Sequence, residues 1–343
     1  MAALALGFSY GLWEQAINVE SYTFTNFLLF LWLFFIIKKG KEIKGWRILV
    51  LGLLMGISLG VNPVIAVLAP TGLWWMYRNW SQVIKNKKYF VLGSICLALG
   101  FLVIYSYLPI RSAAKPFLNW GDPSNFERIK IHLFGKGLDI YEPETNSING
   151  FTGQPKVMLE SLIHYLKLFV WQFTPVLVPV VLWGAWTMWK KNRSQFELLV
   201  VPLIFNLLFV VLYYGGNQES WMITSWVIAG IWLGGGLGVI LNLIQDRSRN
   251  KFGMTIVVGL GLVPMLFWFP LINRSKDNFA QEYADNMYKQ VPEGSIIVGG
   301  GDFFNSLTNY THEVTGQRKD TVPITGKMFY IFPWYREILR KNT

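Results

Sequence analysis

Residues 22–47 read YTFTNFLLFLWLFFIIKKGKEIKGWR. The first part, Tyr22–Ile37, is one apolar run without an Asp, Glu, Lys, Arg or His. The second gathers Lys38, Lys39, Lys41, Lys44 and Arg47 into a short stretch. Roughly 20 apolar residues cross a bilayer, and cations collect on the cytoplasmic side of the crossing. The stretch therefore reads as a membrane span that ends inside.

The same pattern recurs in both directions. Apolar runs follow at residues 46–60, 63–77, 89–108, 173–189, 196–214, 221–244 and 252–272, giving eight expected spans. Basic residues fall in alternate connections. One set holds Lys38 to Arg47, then Arg78, Lys85, Lys87 and Lys88, then Lys190, Lys191 and Arg193, then Arg247, Arg249 and Lys251. The short connections between them, residues 14–21, Asn62 and residues 215–220, hold no Lys or Arg. This alternation predicts an integral, multi-pass membrane protein. Its outer connections are residues 13–22, a long loop at 111–156, and everything after Asn273. Of the Asn-x-Ser/Thr sites at Asn79, Asn192, Asn273 and Asn309, the last two face outward on this topology.

Composition agrees. The 343 residues are 52% apolar, 16% aromatic and 15% charged, against about 25% charged for soluble domains. The net charge of +11 raises nucleic acid as a partner in a soluble protein. Here the cations trace the topology, so no nucleic acid is expected. A single cysteine, Cys96, and three histidines far apart, His132, His164 and His312, exclude a disulfide framework and a metal-ligand motif. The cofactor is left unknown. Residues 1–13 are apolar, with no basic residue before Lys38. They read as the outer half of a first helix, and hence as an N-terminally truncated chain.

Two further segments differ from the spans. Residues 155–171 carry Lys156, Glu160, His164 and Lys167 as a polar stripe, with Leu159, Leu162, Ile163, Leu166, Phe169 and Val170 elsewhere. Such a helix lies in the interface, and Thr174-Pro175 breaks it before the next span. The expected membrane domain is therefore 1–272. Residues 273–343 are expected to form a small extracytoplasmic α/β segment, read as an incomplete piece of a larger outer part. It has a helix at 279–290, a strand at 295–298, a helix at 304–315 and a strand at 321–324.

Three constellations carry possible chemistry. The outer connection Trp13-Glu14-Gln15-Ala16-Ile17-Asn18-Val19-Glu20-Ser21-Tyr22 places two carboxylates at a membrane surface, where they are costly unless paired or wet. Glu20 is the candidate catalytic residue, as a general base, a metal ligand or an orienter of a polar substrate, and a solvated connection with interfacial aromatics at Trp13 and Tyr22 is the plainer alternative. Arg111 and Lys115 follow the span ending near Pro109. They suit a phosphate, because guanidinium binds phosphate oxygens bidentately. Snorkelling to head groups explains them equally well. The glycines before Asp302 resemble a phosphate-binding loop only loosely. Trp13, Tyr22, Asn62, Asn119, Trp120, Asp122 and Asp302 are the candidates for lining an outer substrate cavity.

The order Trp13-x-x-Ala16-x-x-x-Glu20-x-Tyr22, then Gly56-Ile57-Ser58-Leu59-Gly60-Val61-Asn62-Pro63, then Tyr107-Leu108-Pro109-Ile110-Arg111-Ser112-Ala113-Ala114-x-Pro116-x-x-Asn119-Trp120-Gly121-Asp122-Pro123 resembles one family of polytopic membrane proteins. That family includes the protein O-mannosyltransferases related to transmembrane protein 260 and is placed with the GT-C glycosyltransferases. The resemblance extends more weakly through Gly301-Asp302 and residues 316–322. It implies an all-α GT-C-like fold of about eight spans plus a partial first helix. It also implies sugar transfer from a polyprenyl-phosphate sugar to a protein hydroxyl or a glycan on the extracytoplasmic side. Arg111 and Lys115 would hold the donor phosphate. The family's catalytic acidic residue lies in the first outer loop after the first span, upstream of Met1, so no residue here inherits that role. The partners implied are membrane lipid, the lipid-linked sugar and the acceptor. A transporter or flippase of lipid-linked sugars, and a non-catalytic membrane scaffold, are the competing readings.

Overall fold

A computed structural model of the chain describes residues 1–18, 21–37, 43–116, 119–134, 150–151, 153–214, 218–245, 251–331 and 333–342. It divides into two compact units. One joins Met1–Tyr105 to Ile148–Ile272, and the other joins Ser106–Ser147 to Asn273–Thr343.

The first unit is helical. It opens with α1 (Ala2–Gly7), α2 (Tyr10–Ile17), α3 (Tyr22–Ile37) and α4 (Gly45–Val61). A 3-10 turn, Pro63–Leu68, then leads into α5 (Ala69–Arg78), α6 (Trp80–Lys85) and α7 (Lys87–Ala113). After α8 (Phe126–Phe134), which belongs to the second unit, come α9 (Pro155–Lys191), α10 (Arg193–Leu212), α11 (Gln218–Trp221), α12 (Ile223–Gln245) and α13 (Lys251–Ile272). A short antiparallel pair joins β1 (Gly150–Phe151) to β2 (Tyr213–Tyr214). Among the described residues five helices are long and apolar enough to cross a membrane: Lys87–Ala113, Pro155–Lys191, Arg193–Leu212, Ile223–Leu243 and Met254–Ile272. The runs at 22–37 and 46–60 also form apolar helices, of 16 and 17 residues. At 1.5 Å per residue the longer reaches only about 25 Å, short of a hydrocarbon core of about 30 Å. The expected span at 63–77 is split between the 3-10 turn and α5.

Close backbone contact joins the helices. Gly52, Gly56 and Gly60 recur every fourth residue on one face of α4. A Cβ on Gly52 would lie 2.1 Å from the Gly93 carbonyl oxygen of α7, and one on Gly56 would lie 2.0 Å from that of Leu97. The opposite helix therefore occupies the space a side chain would need. The same device joins α9 to α12, where a Cβ on Gly184 would meet the Trp232 carbonyl at 1.7 Å and one on Gly236 the Val180 carbonyl at 2.1 Å. Small residues at four-residue spacing allow this approach in lipid.

The N-terminal stretch differs from the expected half-helix. It bends at Phe8-Ser9 into α1 and α2. The bend is held by a side chain from another helix. The Gln172 amide donates to Ser9 Oγ, and its Oε1 accepts from the Gly11 N–H at 2.8 Å. A free N–H in the first turn of α2 is thus met by Gln172, as a lipid solvent demands.

Helix α9 is two helices in one assignment. Thr174 has φ 63° and ψ 152°, a conformation β-branched residues rarely take. It sits before Pro175, at the residue where the sequence places the break. Along 155–173 the charged side chains at 156, 160 and 167 are exposed. So are Leu159, Ile163, Leu166 and Val170. The buried face carries Ser161, Tyr165 and Gln172 instead. Tyr165 donates to Ser225 at 2.5 Å, Ser225 to Asn206 at 2.6 Å, and the Asn206 amide to the Trp221 carbonyl at 2.7 Å.

In the second unit, α14 (Phe279–Lys289) precedes β3 (Ile296–Gly299), α15 (Gly301–Asn309), a π turn (Tyr310–Val314) and β4 (Val322–Thr325). The strands pair in parallel, Ile296 opposite Val322 and Gly299 opposite Thr325. α16 (Gly326–Ile331) and α17 (Pro333–Asn342) follow. Helix α15 starts earlier than the sequence pattern suggests. Gly301 takes φ 82° at its first position, and the Phe304 ring covers Gly299, where a Cβ would lie 2.4 Å from the ring. Tyr288 and Thr311 share a hydrogen bond of 2.9 Å that ties α14 to the π turn. Arg318 fastens the end of α14. It donates to the carbonyls of Tyr288, Val291 and Pro292 at 2.6, 3.0 and 2.9 Å, and to both Asp320 carboxylate oxygens at 2.9 Å. Asp320 also accepts from the Gly294 N–H at 3.0 Å.

Three outcomes follow. Gly56→Val forces α4 from α7 and destabilises the first unit by about 1–3 kcal/mol. Gly238→Ala, at a position with nothing within 4 Å, leaves the thermal midpoint in detergent unchanged. The Arg318 guanidinium, helped by the Gly294 N–H, holds the Asp320 carboxyl well below the usual carboxylate range. A depressed pKa stabilises above the unfolded value, roughly pH 4, and the contribution fades as pH falls through and below it. Asp320→Asn therefore shows a flatter acid limb than wild type when unfolding is followed against pH.

Candidate functional site

Helix α7 is 27 residues long, about 40 Å at 1.5 Å per residue. Pro109 does not stop it. One lost N–H is a single missing bond, and the helix continues to Ala113. The end comes where Lys115 turns left-handed at φ 48°, its N–H donating to the Ser112 carbonyl at 3.0 Å, just before Pro116. This is the position usually taken by glycine.

Residues 119–125 fold into a locked loop. The Asp122 N–H donates to the Asn119 carbonyl at 3.0 Å, closing a turn in which Gly121 supplies φ 73°. Asp122 itself has φ 42°. Its Oδ1 accepts from Ser112 Oγ at 2.9 Å and from the Asn119 amide at 2.8 Å, and that amide also reaches Ser112 Oγ at 2.9 Å. Oδ2 pairs with Arg128 of α8. The carboxylate thus ties the last turn of α7 to the loop and to α8. Asn125 starts α8 by accepting from the Arg128 N–H at 3.0 Å.

Arg111 and Lys115 lie on this platform, both exposed. Among the described residues neither has a side-chain partner. The other cations nearby are neutralised, Arg128 by Asp122 and Lys130 by Glu127. The structure therefore presents two uncompensated positive charges on a rigid turn, an arrangement able to hold a phosphate group. Asn119 and Asp122, expected in the cavity wall, point their polar atoms at each other and at Ser112. Trp120 is 42% exposed and meets Trp334 of α17 at 5.8 Å. Arg128 was not singled out in the sequence. Its spacing after Asp122 is the only signal it offers.

The remaining candidates belong to the first unit, save Asp302. Trp13 packs on Phe8 and Phe269, with ring centroids 5.0 and 6.2 Å away. Tyr22 starts α3 and packs against the core. Asn62 caps the 3-10 turn, accepting from the Val64 N–H at 3.0 Å, and its amide reaches Ser21 Oγ at 3.5 Å. Glu20 lies outside the described residues. Asp302 is the second residue of α15. Two residues near the connection at 13–22 escaped sequence reading. Asn26 is 4% exposed with neither amide atom partnered, and the Gln15 Oε1 is buried and unpartnered. Buried polar atoms without partners are uncommon and call for an explanation. The signal for Asn26 was present, as a lone amide inside the apolar run that opened the reading.

Residues 1–86 match the family described as "Protein O-mannosyl-transferase TMEM260 N-terminal domain". The mouse protein "Protein O-mannosyl-transferase TMEM260" (Mus musculus) is 19% identical over 286 residues, covering 76% of this chain and 38% of that protein. The chain thus spans about two fifths of that relative's length. No solved structure matches. The chain is related to the TMEM260 proteins, and the apolar helices together with this relative make it a multi-pass membrane protein.

Asp122→Ala strands the buried Ser112 hydroxyl and the Arg128 guanidinium, so it costs about 1–3 kcal/mol. Limited proteolysis around residues 111–128 reads the loosening, with Asp122→Asn intermediate.

Proposed function

We propose that the chain is the membrane part of a glycosyltransferase that moves mannose from a polyprenyl-phosphate donor to a protein hydroxyl on the extracytoplasmic side. The observation that carries this reading is the pair of uncompensated cations, Arg111 and Lys115, fixed by the Asp122 network at the end of a membrane-crossing helix. The relation to the TMEM260 proteins supplies the reaction class and the sugar.

The chemistry sets what each group must do. The acceptor oxygen attacks the anomeric carbon, and the bond from that carbon to the phosphate oxygen breaks. Negative charge grows on the departing lipid phosphate. Preorganised cations stabilise that charge most in the transition state, and Arg111 and Lys115 take this role. The acceptor proton needs a base. Glu20 is the candidate in this chain. Within the first unit, the Asn26 amide and the Gln15 Oε1, buried and unpartnered, suit the hydroxyls of a polar ligand.

A second reading has its own observation. Two helices are broken inside the first unit, at Ser9 and at Thr174, and Gln172 ties the breaks together. Discontinuous helices are how transporters build sites at mid-membrane, so a carrier of lipid-linked sugars remains the alternative.

A sugar-transfer assay on the complete protein with polyprenyl-phosphate mannose separates the two. Arg111→Ala is expected to lower donor use roughly tenfold to a hundredfold, the scale of one charge-assisted hydrogen bond. Lys115→Gly, which keeps the left-handed turn while removing the charge, should lower it less than Arg111→Ala. Normal donor binding and turnover by Arg111→Ala would remove the phosphate role. Movement of the lipid-linked sugar between leaflets without transfer would favour the carrier.

A further inference from the structure

We infer a second anion site at the basic end of the first unit, built for the phosphate ester of an anionic lipid headgroup. A cavity of about 120 Å³ opens there between the C-terminal ends of α3 and α5 and the N-terminal ends of α4 and α10. One water needs roughly 10–15 Å³ by this measure, so the space admits a polyatomic group.

Its polar wall presents donors. Arg47 is 8% exposed, and its Nε donates to the Phe35 carbonyl at 2.6 Å, which fixes the guanidinium on the last turn of α3. Arg78 stands across the cavity, loosely held by Glu197 at 3.7 Å, a carboxylate already engaged by Arg193 at 3.2 Å. Gln82 spends its Oε1 on the Ile43 N–H at 2.8 Å, which leaves its amide hydrogens for another acceptor. The Trp74 indole N–H is buried and has no partner. Ser194 adds a hydroxyl in the first turn of α10, where helix N–H groups favour an anion. Arg47 supplies positive charge, while Arg78, the Gln82 amide, the Trp74 indole and the Ser194 hydroxyl form a set of donors that calls for a negatively charged acceptor.

The surroundings choose the source. Ile36, Trp75 and Leu198 complete the wall, so the ligand is apolar on one side and anionic on the other. Lys85 ends α6, Lys87 and Lys88 begin α7, and Lys190 and Lys191 end α9. Basic connections draw anionic lipid, and basic pockets between spans bind its head groups. This assignment stands apart from the transferase reading, since it shares no residue with Arg111, Lys115 or the outer connection.

The test uses the full chain in neutral detergent. Thermal unfolding is followed while dioctanoyl phosphatidylglycerol, dioctanoyl phosphatidylcholine or inorganic phosphate is titrated in. Phosphatidylglycerol is expected to raise the midpoint saturably, and phosphatidylcholine is not. Arg78→Gln should weaken the apparent affinity roughly tenfold, the scale of one lost charge-assisted contact, because Arg193 still neutralises Glu197 in that variant. Arg47→Gln should weaken it further. Should that variant not fold, Ser194→Ala, on the surface of the same cavity, gives the second measurement. Inorganic phosphate that saturates with the same Arg78 dependence and competes with phosphatidylglycerol supports the site and assigns it to a soluble phosphate. An equal effect of phosphatidylcholine, or a phosphatidylglycerol effect undiminished in Arg78→Gln, overturns the proposal.

Discussion

Backbone touching backbone is the constraint on which the first unit depends. In lipid a helix gains little by burying leucine, since the acyl chains are as apolar as the side chain. What remains is van der Waals contact, which falls off steeply with any gap. Gly52 and Gly56 let α4 settle against the carbonyls of Gly93 and Leu97, and Gly184 and Gly236 do the same for α9 and α12. Large apolar side chains can then face outward, as Val91, Ile95, Leu99 and Val103 do on α7. In water such a surface would drive aggregation. In a membrane it is the ordinary solvent-facing side.

The same solvent makes every polar group inside the bundle significant. Gln172 meets the backbone of the α1–α2 bend, and the run from Tyr165 through Ser225 and Asn206 ends on a carbonyl. These groups are satisfied, and they fix geometry. Asn26 is the contrast, since both its amide atoms are buried without a partner. A satisfied network explains its own presence. An unmet amide within an otherwise apolar helix requires another reason, and a polar ligand supplies one.

Much of this was legible in the sequence, for identifiable reasons. Apolar runs ending in Lys and Arg are read directly, because the bilayer imposes both length and charge. Thr174-Pro175 announced the break in α9, and the strand–helix–strand order after Val291 followed from turn residues and short apolar runs. The polar face of residues 155–173 was harder. The charged stripe at Lys156, Glu160, His164 and Lys167 is visible by periodicity. The buried stripe at Ser161, Tyr165 and Gln172 is set by what α12 and the α1–α2 bend offer in return, which no local pattern contains. Asn119 and Asp122 show the same limit. Their residue types suggest a ligand wall, and only the fold reveals that they face Ser112 and Arg128. Pro109 misleads in the other direction, because a helix tolerates one missing donor where the next turn is sound.

Cations in this chain occupy two kinds of setting, and position separates them. Helix α7 begins with Lys87 and Lys88 and ends with Arg111. At about 40 Å it exceeds a hydrocarbon core of about 30 Å, so both ends clear the apolar region. The lysines at its start obey the charge rule that orients the chain, and their side chains need meet nothing in particular. Arg111 stands where that rule predicts no cation, beside Lys115, whose left-handed backbone is maintained without glycine. Orientation therefore gains nothing from the pair. A carboxylate, two polar side chains and an arginine are committed to holding rigid the turn that carries it. Rigidity of that kind matters when charges must meet a charge of fixed position, which is the demand a lipid phosphate makes on the groups that receive it.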